Sequence, residues 1–379
     1  MRNHASGAEG DRRVTEAIGL LERLVGFPTV AGTGNAPLIG WVRDYLEAQG
    51  AKVTLLPGPE GDRFNLFATI GDPNLPGYVL SGHVDVVPAQ EPGWQGDPFV
   101  LRREGGRLIG RGACDMKGFD AAVLAAAPQL AAMPLAAPVH IALSYDEELG
   151  CRGVPHLLSR LPDLCAPPLG CIVGEPTGLV PVLGHKGKAA LRLVAEGQAG
   201  HSSRPDLGVN AIHALLPALT AAAAQAEALV HGPQDDRFAP PWSTLQIGTV
   251  EGGQALNIIP DHAEARIEAR AIPGADPRAL LDPVATASDV SVEWLSSYPA
   301  LALDPGHPLA TLAAELSGNA PQAAVSFGTE AGLFQQAGVP AIVCGPGDIG
   351  RAHRPEEYLR EDELAGAVEM ILALGRHLC

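Results

Sequence analysis

The chain has 379 residues, 46% of them hydrophobic and 18% charged, a length that predicts two domains and a composition that excludes a disordered chain. Its formal net charge of −17 argues against nucleic acid or an anionic membrane as a partner. Its six cysteines (Cys114, Cys151, Cys165, Cys171, Cys344 and Cys379) form no CxxC pair, and Met1 to Gly10 lacks the apolar core of a signal peptide. Reduced thiols, a cytoplasmic location and no membrane-spanning run are therefore expected.

In chain order, Val14, Ile18, Leu21, Leu24 and Val25 recur at helical spacing over 14–25, and a second helix is predicted over 37–49. Strands are predicted at 51–56, 64–70 and 78–87, then a glycine-rich hairpin near 101–112. A helix over 117–131, a strand over 138–144, a helix near 153–160 and a strand over 170–174 follow. Strands separated by helices imply an α/β sandwich around a mostly parallel or mixed sheet.

The pattern changes after Gly178. A long strand over 182–196, a helix over 208–229 and a strand over 243–250 lead to "HAEARIEARAI" (262–272). There Ala263, Ala265, Ile267, Ala269 and Ala271 alternate with His262, Glu264, Arg266, Glu268 and Arg270, as in an antiparallel sheet with one covered and one wet face. From about 307 the α/β style resumes, with helices near 307–317, 328–337 and 361–376 around a strand at 340–344. The expected architecture is a mixed-sheet α/β catalytic domain (1–179 and 292–379) interrupted by a smaller α+β, βαββ-type domain (180–291).

Chemistry concentrates at strand ends and in the loops beside them, where α/β sheets bind ligands. "SGHVDVVP" places His83 and Asp85 two apart, and an adjacent carboxylate can hold the imidazole tautomer a metal needs. "GRGACDMKG" puts Asp115 before a helix, where a plain N-cap is the simpler explanation. "SYDEELG" stacks Asp146, Glu147 and Glu148 after an apolar strand, "VGEPTG" ends a strand in Glu175, and "HRPEEY" carries His353 in a Gly/Pro-rich loop. Mixed histidine and carboxylate sets with open positions suit hydrolytic zinc sites, and two metals sharing a carboxylate can clamp a water and a carbonyl.

The blocks SGHVDVVP, GRGACDMKG, YDEELG, GEPTG, GHSSRP and HRPEEY resemble, in order and over nearly the whole chain, the di-zinc amidohydrolases that include acetylornithine deacetylase, succinyl-diaminopimelate desuccinylase and carboxypeptidase G. The resemblance implies two zinc ions per chain, replaceable by cobalt: His83 and Glu175 on one, Glu148 and His353 on the other, and Asp115 between them. It implies Asp85 as the partner of His83, Glu147 as general base, and a cis peptide bond at Asp115–Met116. It further implies that the inserted domain is a lid and homodimer interface whose His201 stabilises an oxyanion in the other subunit. By the same resemblance Asn257 and Arg270 bind substrate, Arg270 by forking onto a carboxylate.

"SFGTEAGLF" and the Cys before Asp115 look most like the acetylornithine branch. Thr329 and Glu330 then fall where the substrate would sit, with Glu330 facing the ammonium group; a helix-terminal acid is the competing reading. The expected activity is zinc-dependent removal of acetyl from N2-acetyl-L-ornithine, a step of arginine biosynthesis, with a small N-acyl amino acid as the only partner besides a second copy of the chain. The alternatives are desuccinylation, another deacylase or dipeptidase activity of the family, and a metal-binding regulatory protein without catalysis. An intact Glu147 speaks against the last.

Overall fold

A computed structural model describes residues 3–379. The elements used below are, in chain order, α1 (Asn3–Val25), α2 (Ala36–Ala48), β1 (Lys52–Pro57), β2 (Phe64–Ile70), β3 (Tyr78–His83), α3 (Lys117–Ala132), β4 (Val139–Ser144) and β5 (Gly170–Pro176). They continue with β6 (Gly187–Glu196), α4 (Ala211–Val230), β7 (Thr244–Gly252), β8 (His262–Ala271), β9 (Ser291–Tyr298), α5 (Pro308–Ser317), α6 (Ala331–Gln336), β10 (Ala341–Gly345) and α7 (Glu361–His377). The chain divides into a larger unit (Met1–Gly184, Leu303–Ala323, Thr329–Cys379) and a smaller one (His185–Ala302, Ala324–Gly328).

The larger unit is built on a six-stranded sheet in the order β1-β2-β4-β3-β5-β10. β4, β3, β5 and β10 run parallel, whereas β1 and β2 are antiparallel, so the sheet is mixed. β3, β4 and β5 are buried throughout except for Tyr78, as strands covered on both faces must be. Ala-rich α3 packs closely: a side chain at Gly174 would occupy the Phe119 ring, and one at Gly82 would run into Asp120. That close approach accounts for a glycine directly before His83 and another directly before Glu175. The Asp115–Met116 peptide bond is cis.

The smaller unit is a four-stranded antiparallel sheet in the order β7-β8-β6-β9. Along β8 the five residues expected on the covered face, Ala263, Ala265, Ile267, Ala269 and Ala271, are all buried. The core joins the first four of them to Ala211, Leu215, Ala218 and Ala222 of α4.

Several expectations change. Residues 182–196 are not one strand: Lys186 turns its ammonium to the carbonyls of Pro240 and Trp242 at 2.8 and 2.6 Å, and regular pairing starts at Gly187. The smaller unit extends past 291 to Ala302 because β9, which sequence patterning missed, pairs with β6. As an edge strand β9 is only partly covered, so its pattern is weak. α4, with Glu227 as its one acid or base other than His213, is long and apolar enough to cross a membrane, contrary to expectation; its buried side chains instead pack on the sheet.

Candidate metal centre

Parallel pairing sets the location of the site. His83 at the end of β3 lies opposite Ser144 at the end of β4, and β5 runs in register beside β3 until Ser81 faces Val173. The segments leaving β3 and β4 carry Asp85 and Asp146 to Glu148, and the end of β5 itself carries Glu175. The sheet thus gathers at the carboxyl ends of its central strands residues that are nearly a hundred positions apart, as parallel α/β sheets generally do.

Two triads result: His83, Asp115 and Glu175 form one, and Asp115, Glu148 and His353 the other. His83 Nε2 lies 3.1 Å from Asp115 Oδ1 and 3.8 Å from Glu175 Oε1. His353 Nε2 lies 3.0 Å from Asp115 Oδ2 and 2.9 Å from Glu148 Oε1. Asp115 therefore turns one oxygen to each triad. A tetrahedral ion about 2.0–2.1 Å from nitrogen and oxygen ligands spaces them about 3.3 Å apart, so these donor separations fit a pair of small divalent cations.

Electrostatics point the same way. Asp85, Asp115, Glu147, Glu148 and Glu175 interact with one another and with two histidines. Burial, reinforced by Glu148, Asp85 and Asp115 against the pull of His83, pushes Glu147 up to about 8. Burial and Asp115 push Glu148 up to about 7, and burial raises Glu175 well above the carboxylate range. Hydrogen bonds to Asp115 and Glu148 lift His353 to about 11. Buried carboxylates in this number require countercharge, which divalent cations provide.

Around the donors, Asp85 does more than the sequence suggested. His83 Nδ1 meets the Asp85 backbone carbonyl at 2.9 Å, leaving Nε2 for the triad, and the Asp85 carboxylate is 3.5 Å away. That carboxylate accepts the backbone N–H of Glu147 on Oδ1 and of Glu148 on Oδ2, both at 3.1 Å. It orients the whole acidic pair. Cys151 donates its thiol to Glu147 Oε1 at 3.2 Å. Asp146, the first of the three acids in "SYDEELG", is buried with φ 51°. It accepts the Gly32 N–H at 2.7 Å and pairs with Arg63.

The remaining candidates separate. In the larger unit Thr329 is fully buried and its hydroxyl accepts the Ala331 N–H at 3.0 Å, starting α6. Glu330 is 1% exposed, and its two oxygens accept the hydroxyls of Ser81 and Ser144. In the smaller unit, short strands at Gly200–His201 and Ile258–Ile259 pair, and Ser202 N–H donates to the Asn257 carbonyl at 3.1 Å. This brings His201 and Asn257 together, both exposed. Arg270 on β8 is half-buried and donates to Glu268 at 2.7 Å and to the Tyr298 hydroxyl at 3.3 Å.

The family model for peptidase family M20/M25/M40 matches residues 79–377, and the chain belongs to that family. It is 33% identical over 382 positions to the acetylornithine deacetylase of Proteus mirabilis (strain HI4320), covering 96% of each chain. Among solved structures, an M20 family metallo-carboxypeptidase from Sulfolobus solfataricus superposes with TM-score 0.79 at 20% identity, covering 95% of this chain and 98% of that one. A dinuclear metal-binding M20 peptidase from Bacillus subtilis superposes with TM-score 0.66 at 18% identity over 97% and 99%. The chain is thus a metal-dependent hydrolase by family, and the two structures share its fold.

Proposed function

We propose that this member of peptidase family M20/M25/M40 is a two-zinc deacylase that hydrolyses N2-acetyl-L-ornithine to L-ornithine and acetate. The observation that carries the reading is the Asp115 carboxylate divided between two triads, with Glu147 beside both. His83 and Glu175 would hold one ion, Glu148 and His353 the other, and Asp115 both. Bound there, two divalent cations supply Lewis acidity for a water and for the scissile carbonyl.

The chain's own residues do the rest. Asp85 holds the Glu147 backbone so that its carboxylate faces the reacting centre, where it takes a proton from the attacking water and returns it to the departing nitrogen. Cationic charge in the site lowers Glu147 from about 8 and keeps it ionised as a base at neutral pH. Arg270, fixed by Glu268 and Tyr298, retains guanidinium N–H groups for the substrate α-carboxylate, with Asn257 as a further contact. Thr329 and Glu330 act from beneath, setting the start of α6 and the serine-bearing ends of β3 and β4.

His201 stabilises the oxyanion in the other subunit of a cytoplasmic homodimer. In support, the smaller unit leaves Val209, Leu216, Val250 and Leu256 exposed on and near α4 and β7, and β7 is an edge strand with unpaired backbone groups. The substrate assignment is supported by the 33% identity to a deacetylase of that specificity. Metal-dependent acetate release from N2-acetylornithine, compared with N-succinyl-diaminopimelate, N-acetylmethionine and a dipeptide, tests it. A preference of at least about tenfold in kcat/KM for acetylornithine is expected; an equal or better rate on any other overturns the substrate while leaving the metal chemistry standing.

A further inference from the structure

Neither triad accounts for Glu357, the acid four residues beyond His353. It is 1% exposed. Its Oε1 accepts the backbone N–H groups of Cys114 and Asp115 at 2.9 and 3.0 Å, and its Oε2 accepts Arg111 Nη1 at 2.9 Å. Arg111 is equally buried and spreads its fork further. Nη1 also reaches the Arg354 carbonyl at 3.4 Å, while Nη2 donates to the Pro88 carbonyl at 3.2 Å and to Glu91. The guanidinium carbon lies 5.2 Å from the Trp94 ring centroid.

These contacts join three segments that each bear ligands. Pro88 and Glu91 follow His83 and Asp85 out of β3, Arg111 and Asp115 share one loop, and Arg354 and Glu357 flank the turn after His353. A buried ion pair gains little net stability, since desolvation offsets most of its attraction. This pair instead directs one carboxylate oxygen to two consecutive N–H groups, those of Asp115 and the residue before it. The Asp115 main chain is thereby pinned while its side chain serves two histidines.

The geometry points to Glu357 and Arg111 as a positioning pair that sets the spacing of the two metal positions, by locking the Asp115 backbone to the segments that carry His83 and His353. The inference rests on the two-metal reading above. Metal sites need their ligands held within about 0.5 Å, and partners behind the ligands are commonly worth 10–100-fold in affinity. Glu357→Gln keeps the size of the side chain and one acceptor oxygen, but removes the charge that faces Arg111.

The test is Co2+ titration of the full-length, metal-stripped chain against a competing chelator, with the visible cobalt spectrum and thermal unfolding recorded for wild type and Glu357→Gln. Wild type is expected to take two Co2+. In Glu357→Gln both affinities are expected to fall about 10–100-fold, with altered cobalt bands. A lower unfolding temperature with unchanged affinities and spectrum would make the pair purely structural and overturn the inference. Wild type saturating at one Co2+ would instead defeat the two-metal reading. If Glu357→Gln does not fold, Glu91→Gln loosens only the partly exposed end of the same network. A loss of a few fold in Co2+ affinity supports the inference and an unchanged affinity overturns it.

Discussion

Removing the Asp85 carboxylate should disable the site without touching a metal donor. Asp85→Ala deprives the Glu147 and Glu148 N–H groups of their acceptor, two hydrogen bonds of 3.1 Å. A buried donor left unmade costs about 1–3 kcal/mol, so the two together cost about 2–6 kcal/mol unless the loop moves to find water. Movement relieves that cost but displaces Glu147, and a shift of about 1 Å in a catalytic group costs about 10²-fold in rate. Movement of the loop predicts a fall of at least about 10²-fold in kcat/KM at saturating metal, whereas a loop that stays in place takes the cost as lost folding stability. Asp85→Asn should be no milder than about tenfold, because its amide NH2 must face one of the two N–H groups. Steady-state acetate release, a chelator-competition metal titration and urea unfolding of the metal-free protein separate the contributions. Asp85→Ala within about twofold of wild type in kcat/KM and metal affinity, with unchanged stability in urea, would refute the reasoning.

Arg63→Ala leaves buried Asp146 with only the Gly32 N–H and should lower stability in urea by about 2–3 kcal/mol; Arg63→Ala combined with Asp146→Asn should recover part of it. Asp120 is buried with neither oxygen hydrogen-bonded, and burial pushes it up to about 8. The unfolded chain therefore releases this proton near pH 4 and the folded chain near 8, so metal-free stability falls as pH rises through that window. Asp120→Asn should remove this part of the pH dependence and stabilise the metal-free protein by roughly 4 kcal/mol at pH 7, and an unfolding free energy in urea that changes between pH 5 and 7 as it does in wild type would contradict it. Mixing inactive His201→Ala and Glu147→Ala chains, with exchange shown by a doubly tagged species, should recover roughly a quarter of wild-type activity if His201 acts across a two-fold axis, and none if it acts within its own chain.

What could be read from the sequence was what repeats locally. The alternation of 262–272 gave β8 with its covered face, because one neighbouring layer sets that pattern, and the Ala-rich run of 117–131 gave α3, although that helix is buried on nearly every side. The five metal-donor candidates were visible because each follows an apolar strand or sits in a Gly-flanked loop. Partners distant in sequence were not visible. Nothing near "SYDEELG" announces that Asp146 pairs with Arg63, 83 residues away, or that Asp85 serves two amides across 62 and 63 residues. Glu330 had two sound readings, a substrate acid and a helix-terminal acid, and only the fold revealed Ser81 and Ser144 on its two oxygens. β9 escaped because an edge strand shares its pattern with a loop.

Turnover of metal-loaded Glu147→Gln protein tests most directly whether Glu147 moves the proton while its neighbour Glu148 holds a metal. Glutamine preserves size and hydrogen bonding but accepts no proton, so two ions should remain bound per chain while kcat for acetylornithine drops at least about 10²-fold, the range of a general base. Near-wild-type kcat with both ions bound would contradict the assignment.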